Sequence, residues 1–385
     1  MKTGKWIAPA TGEVLDARNW IDSLAARPVV LLGETHTSLA DHRWQMQVLA
    51  AVHSRAPNLT LGFEAFPRRV QPVLERWVAG ELSERRFLAE VGWGDVWGFD
   101  ATLYMPLFDF ARMNRIPMIA LNVERSLVSR VGRDGWDAVP ADAREGVGDP
   151  APPNAAYVAS LGRVYAQHKK KDDAPPSAED PAFAKFVQAQ LTWDLAMAEG
   201  LAAARKENAD GPVVGIIGRG HLEYGYGVPH QLSDLGIDDA GVAVTWTDDR
   251  DCAEMVTEGG LRVADAVFGV AVEESDPVKP KGPRLGVLIS ETPGGVSIDG
   301  VVDGSVAASA GLKKGDVVTH AAGLAVAKPA ELAAVIRRQP HGTWLPLGVL
   351  RAGEQIEILA KFPARPHPPM KGPSPHRRKG GKGAK

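Results

Sequence analysis

The sequence has one cysteine, Cys252, in 385 residues. No intramolecular disulfide can form, and a cysteine-rich metal site is excluded. No stretch reaches the ~18 apolar residues of a membrane span, so an integral helical membrane protein is not expected. The opening Met1-Lys2-Thr3-Gly4-Lys5-Trp6 has no apolar segment behind its lysines and no cysteine nearby. It therefore reads as neither a secretory signal nor a lipid anchor, and the expected compartment is the cytoplasm. A start further upstream would reopen a cell-envelope location. Net charge is only −3, which gives no reason to expect nucleic acid or an anionic membrane as a general partner. His-Glu-x-x-His and Cys-x-x-Cys-His are both missing, which removes ordinary zincin chemistry and covalent haem attachment.

What is present is ordinary for a globular protein, with 44% hydrophobic and 24% charged residues. The length is enough for two or three domains. The first part alternates strand and helix. Strands are predicted at Val29–Leu32, Leu59–Phe63 (ending at Glu64), Met118–Leu121 (ending at Asn122), Val213–Ile217, Val242–Thr245 and Ala266–Val272. Helices are predicted at Ser38–Arg55, Val70–Val78, Glu84–Val91, Thr102–Asn114, Glu124–Val131 and Pro181–Lys206. The expected fold class is α/β, a largely parallel sheet with helices on both faces, followed by a small β-rich domain.

The expected division is a first domain over 1–272, a linker over 273–282, a small domain over 283–362 and a disordered basic tail over 363–385. The tail reads as a solubilising end before it reads as a nucleic-acid arm. Within the first domain, residues 133–180 break the rhythm with Pro150, Pro152, Pro153, Pro175, Pro176 and a charge run over 169–173. An insertion of this length reads either as a lid or as a mobile segment.

Two apolar runs end alike. Pro28-Val29-Val30-Leu31-Leu32 leads into Gly33-Glu34-Thr35-His36, and Pro212-Val213-Val214-Gly215-Ile216-Ile217 leads into Gly218-Arg219-Gly220-His221. Ligands of open α/β sheets bind beyond the carboxyl ends of the strands, so two such histidines can meet at one site. Other polar residues at predicted strand ends are Glu64, Asn122 with Glu124 and Arg125, and Arg219 with Glu223. Carboxylate and imidazole together suit acid–base work or a divalent metal. The catalytic candidates are Glu34, His36, Glu64 and His221. The candidate metal ligands are His36, Glu64 and His221. The aromatic segment Val91–Phe99 reads either as a pocket wall or as a satellite hydrophobic cluster. Asp194, mid-helix beside Trp193, reads either as a support for the site or as a bond to another helix.

These residues carry a family resemblance. Val30–His36, Gly62-Phe63-Glu64, Trp97…Tyr104-x-Pro106-Leu107, Ile119–Asn122, Gln190-x-x-Trp193-Asp194-x-x-Met197-Ala198 and Gly218-x-Gly220-His221-x-x-x-Gly225-x-Gly227-Val228-Pro229 resemble the ChaN family. The resemblance spans about Lys5–Val272. It implies haem binding linked to iron uptake, with cofacial haems at a homodimer interface and tyrosine as axial ligand. ChaN shares its superfamily with Tiki and TraB metal-dependent proteases and erythromycin esterases, so a metal-dependent hydrolase of peptides or esters is the alternative. The candidate haem contacts are Tyr104, Tyr157, Tyr165, His168 and Tyr224, since tyrosinate is an accepted iron ligand. The absence of a lipobox departs from the familiar ChaN proteins.

Gly304-Ser305-Val306-Ala307-Ala308-Ser309-Ala310-Gly311-Leu312, followed by Lys313-Lys314-Gly315-Asp316-Val317-Val318, is similar to bacterial PDZ domains. That resemblance implies a groove in which the C-terminus of a peptide or protein adds as a strand beside Leu285–Ile289, its carboxylate held by backbone N–H groups near Leu285 and Gly286, so that the candidate peptide contacts are Leu285, Gly286 and Val287. A PDZ fold that only packs or dimerises is one alternative, and a non-catalytic adaptor in which the PDZ domain is the working part is another. Where the family usually has asparagine before glycine, this chain has Ala322.

Overall fold

The structure, a computed structural model, describes residues 2–168, 180–272 and 284–364, without the side chains of residues 167 and 168. The expected linker, the charge run over 169–173, the His168 side chain and all but the first two residues of the expected tail lie outside the described residues. The chain divides into two compact units, Met1–Glu273 and Glu274–Lys385.

In the first unit the strands are β1 (Trp6–Ile7), β2 (Val14–Leu15), β3 (Val29–Glu34), β4 (Thr60–Pro67), β5 (Met118–Asn122), β6 (Val213–Gly218), β7 (Ala240–Thr247) and β8 (Ala266–Val270). They form one sheet in the order β2-β1-β8-β7-β3-β6-β4-β5. The run from β8 to β5 is parallel, and β1 and β2 close one edge antiparallel. Every residue of β3, β4 and β6 is buried, as expected of parallel strands covered on both faces. Along β3 the side chains alternate between two cores. Val30 and Leu32 pack with Trp44, Val48 and Phe108 on one face, and Val29 and Leu31 pack with Met197 and Leu201 on the other. The helices Leu39–His53 and Ala101–Met113 cover the first face, and Pro181–Glu207 covers the second.

The topology places the crevice. From β3 the chain crosses β6 to reach β4, and from β6 it crosses back over β3 to reach β7. Neighbouring strands with exits in opposite directions open a gap at their carboxyl ends. His36 and His221 follow those two strands. Glu64 was expected to end its strand, but β4 runs on to Pro67. Its pairing with β5 lapses between Phe63↔Ala120 and Pro67↔Asn122, so Glu64 sits in a bulge. A bulge re-aims the side chains it carries, and here the Asn122 side chain bridges the gap by donating to the Glu64 carbonyl at 2.9 Å.

The insertion is packed where it is described. Trp136, Val139 and Val147 are buried against Leu127, Val131 and Leu195. The helix Ala155–His168 lays Tyr157 and Leu161 against Phe183, Val187 and Leu191 of Pro181–Glu207.

The second unit is an antiparallel sheet. Its strands are β9 (Val287–Thr292), β10 (Gly295–Val301), β11 (Val317–Ala321), β12 (Leu324–Ala325), β13 (Trp344–Arg351) and β14 (Glu354–Lys361). The order is β14-β13-β11-β10-β9, with β12 paired to β11. The helix Pro329–Arg337 packs Leu332 and Ile336 into its core. Asp316 fixes the Lys-Lys-Gly-Asp turn. It accepts from Lys313 N–H at 2.8 Å and takes two bonds from the Arg351 guanidinium at 2.7 Å each. The Arg351 fork holds the Asp316 carboxyl below the usual carboxylate range.

Candidate functional site

Glu34, His36, Glu64 and His221 meet at the carboxyl edge of β3, β4 and β6. His36 Nδ1 lies 2.6 Å from Glu34 Oε1, and the same oxygen accepts from the Tyr104 hydroxyl at 3.1 Å. His221 Nδ1 lies 2.6 Å from Asp194 Oδ1, whose other oxygen accepts from the Tyr157 hydroxyl at 2.6 Å. Two tyrosine–carboxylate–histidine relays thus converge from different elements. In each, the carboxylate fixes the ring's orientation and leaves Nε2 for the site.

Glu64 stands between them. Its Oε2 accepts from Gly218 N–H at 2.5 Å, and its Oε1 lies 3.7 Å from His221 Nε2. Gly218 is small by necessity, because a Cβ there would lie 2.7 Å from His36 Cε1 and 3.2 Å from Glu64 Oε2. Gly227 is constrained in the same way, its Cβ position lying 2.8 Å from Asp194 Oδ1.

The carboxylates are buried, and they set the charge of the rings. Burial works against the charged form of His221, yet the charge and hydrogen bond of Asp194 and the charge of Glu64 outweigh it, and the pKa rises to about 9. For His36 burial again opposes the charge, and Glu34 and Glu64 again prevail, so its pKa lies above 6.5. Glu34 Oε2 is buried with no hydrogen-bond partner among the described residues.

Polar support that the sequence reading missed lies on Leu39–His53. Asp41 accepts from Thr35 N–H and from the Thr245 hydroxyl, both at 2.8 Å, and Gln45 donates to the Leu32 carbonyl at 2.8 Å. Both are buried. The signal was an i, i+4 polar pair on the helix's apolar stripe, which must find partners on the strand beneath it.

The aromatic segment walls the site. Trp97 and Phe99 lie 4.7 and 4.9 Å from the His36 ring, and Trp193 lies 5.3 Å from that of His221. Between the two tryptophans a cleft of about 200 Å³ runs past Asn122, Glu124 and Arg125.

Against this geometry, a family model described as haem-binding uptake, Tiki superfamily, ChaN matches residues 20–232. The chain belongs to the ChaN family. A PDZ model matches residues 283–361. The structure titled cofacial heme binding to ChaN of Campylobacter jejuni superposes with a TM-score of 0.54 at 16% identity, covering 68% of this chain and 95% of that one. At that identity the likeness is one of fold. The magnetosome formation protease MamE of Magnetospirillum gryphiswaldense is 42% identical over 76 residues, 20% of this chain and 10% of that protein. The chain therefore spans about a tenth of the curated relative it matches.

The tyrosines expected to meet haem in this ChaN domain are placed as follows. Tyr104 and Tyr157 are buried, with their hydroxyls donating to Glu34 and Asp194. Burial and those carboxylates push both phenols upward, against the tyrosinate form that iron ligation needs. Tyr224 donates to the Glu254 carbonyl at 2.7 Å, and its phenol is also raised, chiefly by burial. Tyr165 packs beside Phe183 and Phe186. No described hydrogen bond falls on Nε2 of His36, whose side chain keeps 30% exposure against 13% for that of His221. Among the described residues no group of three His, Cys, Asp or Glu is arranged to hold a metal ion, although the donor types are suitable.

In the second unit, Leu285 is buried and its carbonyl accepts from Ala307 N–H at 2.8 Å. Gly286 has φ +83° and lies so close to Ser305 that a Cβ would stand 2.3 Å from that side chain. Val287 begins β9, the edge strand, which pairs only with β10 among the described residues.

Proposed function

We propose that the ChaN domain binds haem through His36, and that the PDZ domain recruits the C-terminus of a peptide or protein partner. The observation that carries the haem reading is the state of His36. Its Nδ1 is held by a buried carboxylate, its ring lies against Trp97 and Phe99, and no described hydrogen bond falls on its Nε2. Haem bound there would supply an iron centre for uptake or transfer. Glu34 orients the imidazole, and because its charge favours the protonated ring, iron ligation would have to displace the Nε2 proton. The aromatic residues exclude water and offer flat apolar surface. Haem binding in the family and in the Campylobacter protein supports this reading.

On the PDZ side, the unpaired edge of β9 offers main-chain donors and acceptors to an added strand, and Leu285, Gly286 and Val287 supply the loop for its carboxylate.

A second reading, hydrolysis of a peptide or ester, is favoured by Glu64 facing His221 Nε2 at 3.7 Å. Glu64 would deprotonate water, and protonated His221 would donate to the leaving group.

Titration of the full chain with haem tests the first reading. A Soret band shifted from that of free haem, altered by His36→Ala, is expected. Hydrolysis of peptide or ester substrates that is abolished by Glu64→Gln, with no haem binding, would favour the second.

A further inference from the structure

Strand β9 has two chemically different faces. Val287 and Ile289 turn inward and pack on the core that holds Leu332 and Ile336 of the helix Pro329–Arg337. Leu288 and Ser290 therefore turn outward, because side chains alternate along a strand. Leu288 keeps 66% exposure. It lies across Gly300 of β10, where a Cβ would stand 3.3 Å from Leu288 Cδ1. At this level β10 is bulged. Its pairing with β9 steps from Ile298↔Ile289 to Gly300↔Leu288, which leaves Asp299 as the extra residue. A bulge re-aims the side chain it carries, and the Asp299 carboxylate reaches β9. Its Oδ1 accepts from the Ser290 hydroxyl at 3.0 Å and from the Ser297 hydroxyl at 3.2 Å. Among the described residues no cation pairs with Asp299, and no hydrogen bond falls on its Oδ2. Two serines thus hold an exposed carboxylate beside the free edge strand.

We propose that this outer face selects the partner's C-terminus, favouring a basic residue fourth from its end and a large apolar residue second from its end; this rests on the PDZ reading. A strand whose carboxylate sits at Leu285 and Gly286 ends beside the start of β9, so it runs antiparallel to β9. Counted back in register, its last residue lies opposite Val287, its second-last opposite Leu288 and its fourth-last opposite Ser290. Residues directly opposite each other share a face. The last and third-last side chains therefore enter the groove, and the second-last lies on Leu288. The fourth-last meets Ser290, where Asp299 supplies a negative charge. Neighbouring strands are about 4.8 Å apart, a gap that a lysine or arginine stem spans. A glutamate at that position faces a like charge.

The test is fluorescence anisotropy of the full chain with labelled octapeptides ending Lys-Val-Leu-Val, Glu-Val-Leu-Val and Lys-Val-Ser-Val, and with the first of these amidated at its C-terminus. The lysine peptide should bind about threefold to fivefold tighter than the glutamate peptide, the scale of a solvent-exposed cross-strand ion pair. Salt at about 1 M should narrow that gap. Asp299→Lys should reverse the order of the two peptides, and Leu288→Ser should erase the preference for leucine over serine. Both residues are exposed, so neither change disturbs the core. If the parent chain shows no preference, or Asp299→Lys leaves the lysine-to-glutamate ratio unchanged, the role of the outer face is wrong while the groove stands. If no peptide binds, or amidation leaves the affinity unchanged, the PDZ reading falls and this proposal falls with it.

Discussion

Replacing Asp194 with asparagine keeps the shape of the second relay and removes its charge. Asp194 is fully buried at 0% exposure and touches both His221 and Tyr157. The rise of the His221 pKa from 6.5 to about 9 corresponds to about 3 kcal/mol of preference for the protonated ring in the fold. Asp194 provides two of the three favourable contributions and Glu64 the third, all set against burial. In Asp194→Asn burial remains, and only Glu64 opposes it. The His221 pKa should therefore fall by about 2 or more, and stability at pH 6 by about 2 to 3 kcal/mol. The sign is fixed by linkage. A raised histidine pKa gives stability that is fully present below the unfolded value near 6.5 and is lost as pH rises through about 9. The difference between parent and variant should thus be largest at pH 6 and shrink above pH 9. Urea unfolding across that range measures the difference, and histidine NMR titration measures the pKa. A His221 pKa still near 9 in the variant, or an equal stability loss at pH 6 and pH 10, would refute the reasoning.

Tyr157→Phe leaves Asp194 Oδ2 buried without its donor, so the first unit should lose about 1–3 kcal/mol in urea unfolding. A change within error would mean that water replaces the hydroxyl. Ala322 has φ +51° and precedes Gly323 at φ +75° in the turn from β11 to β12, so Ala322→Asn should stabilise that turn by about 0.5–1 kcal/mol. Slower amide exchange at Val318 and Ala321 in the full chain would register it. Asp316→Asn should speed exchange across the same strand at neutral pH. It should also blunt the domain's acid sensitivity, because a carboxyl held low by Arg351 gives stability above its unfolded pKa that is lost as pH falls through the folded one.

The carboxyl ends of β3 and β6 were legible because fully buried parallel strands read as unbroken apolar runs, and Gly-x-x-His then marks where each stops. Their adjacency was not legible. It depends on the chain returning from β5 to insert β6 between β3 and β4, a choice made by packing. Glu64 was found but misplaced, since nothing in Gly-Phe-Glu-Ala-Phe-Pro announces a bulge that lets a strand continue past its functional residue. Asp194 stood out as an acid in an apolar stretch of helix, and its bond to His221 appeared only once Pro181–Glu207 lay against the sheet. Tyr157 shows the limit most clearly. Its position in the insertion suggested a ligand for iron, and its hydroxyl serves Asp194. Two-residue strands such as Trp6–Ile7 carry no periodicity and left no trace in the sequence.

The central claim, that this ChaN domain presents His36 to haem, is tested most directly by the absorption spectrum of the full chain at one equivalent of haem, compared with His36→Ala and Tyr104→Phe. The account predicts a shifted Soret band in the parent chain, a changed or absent band in His36→Ala, and a retained band in Tyr104→Phe, whose phenol donates to Glu34. A band that survives His36→Ala unchanged and disappears with Tyr104→Phe would contradict it.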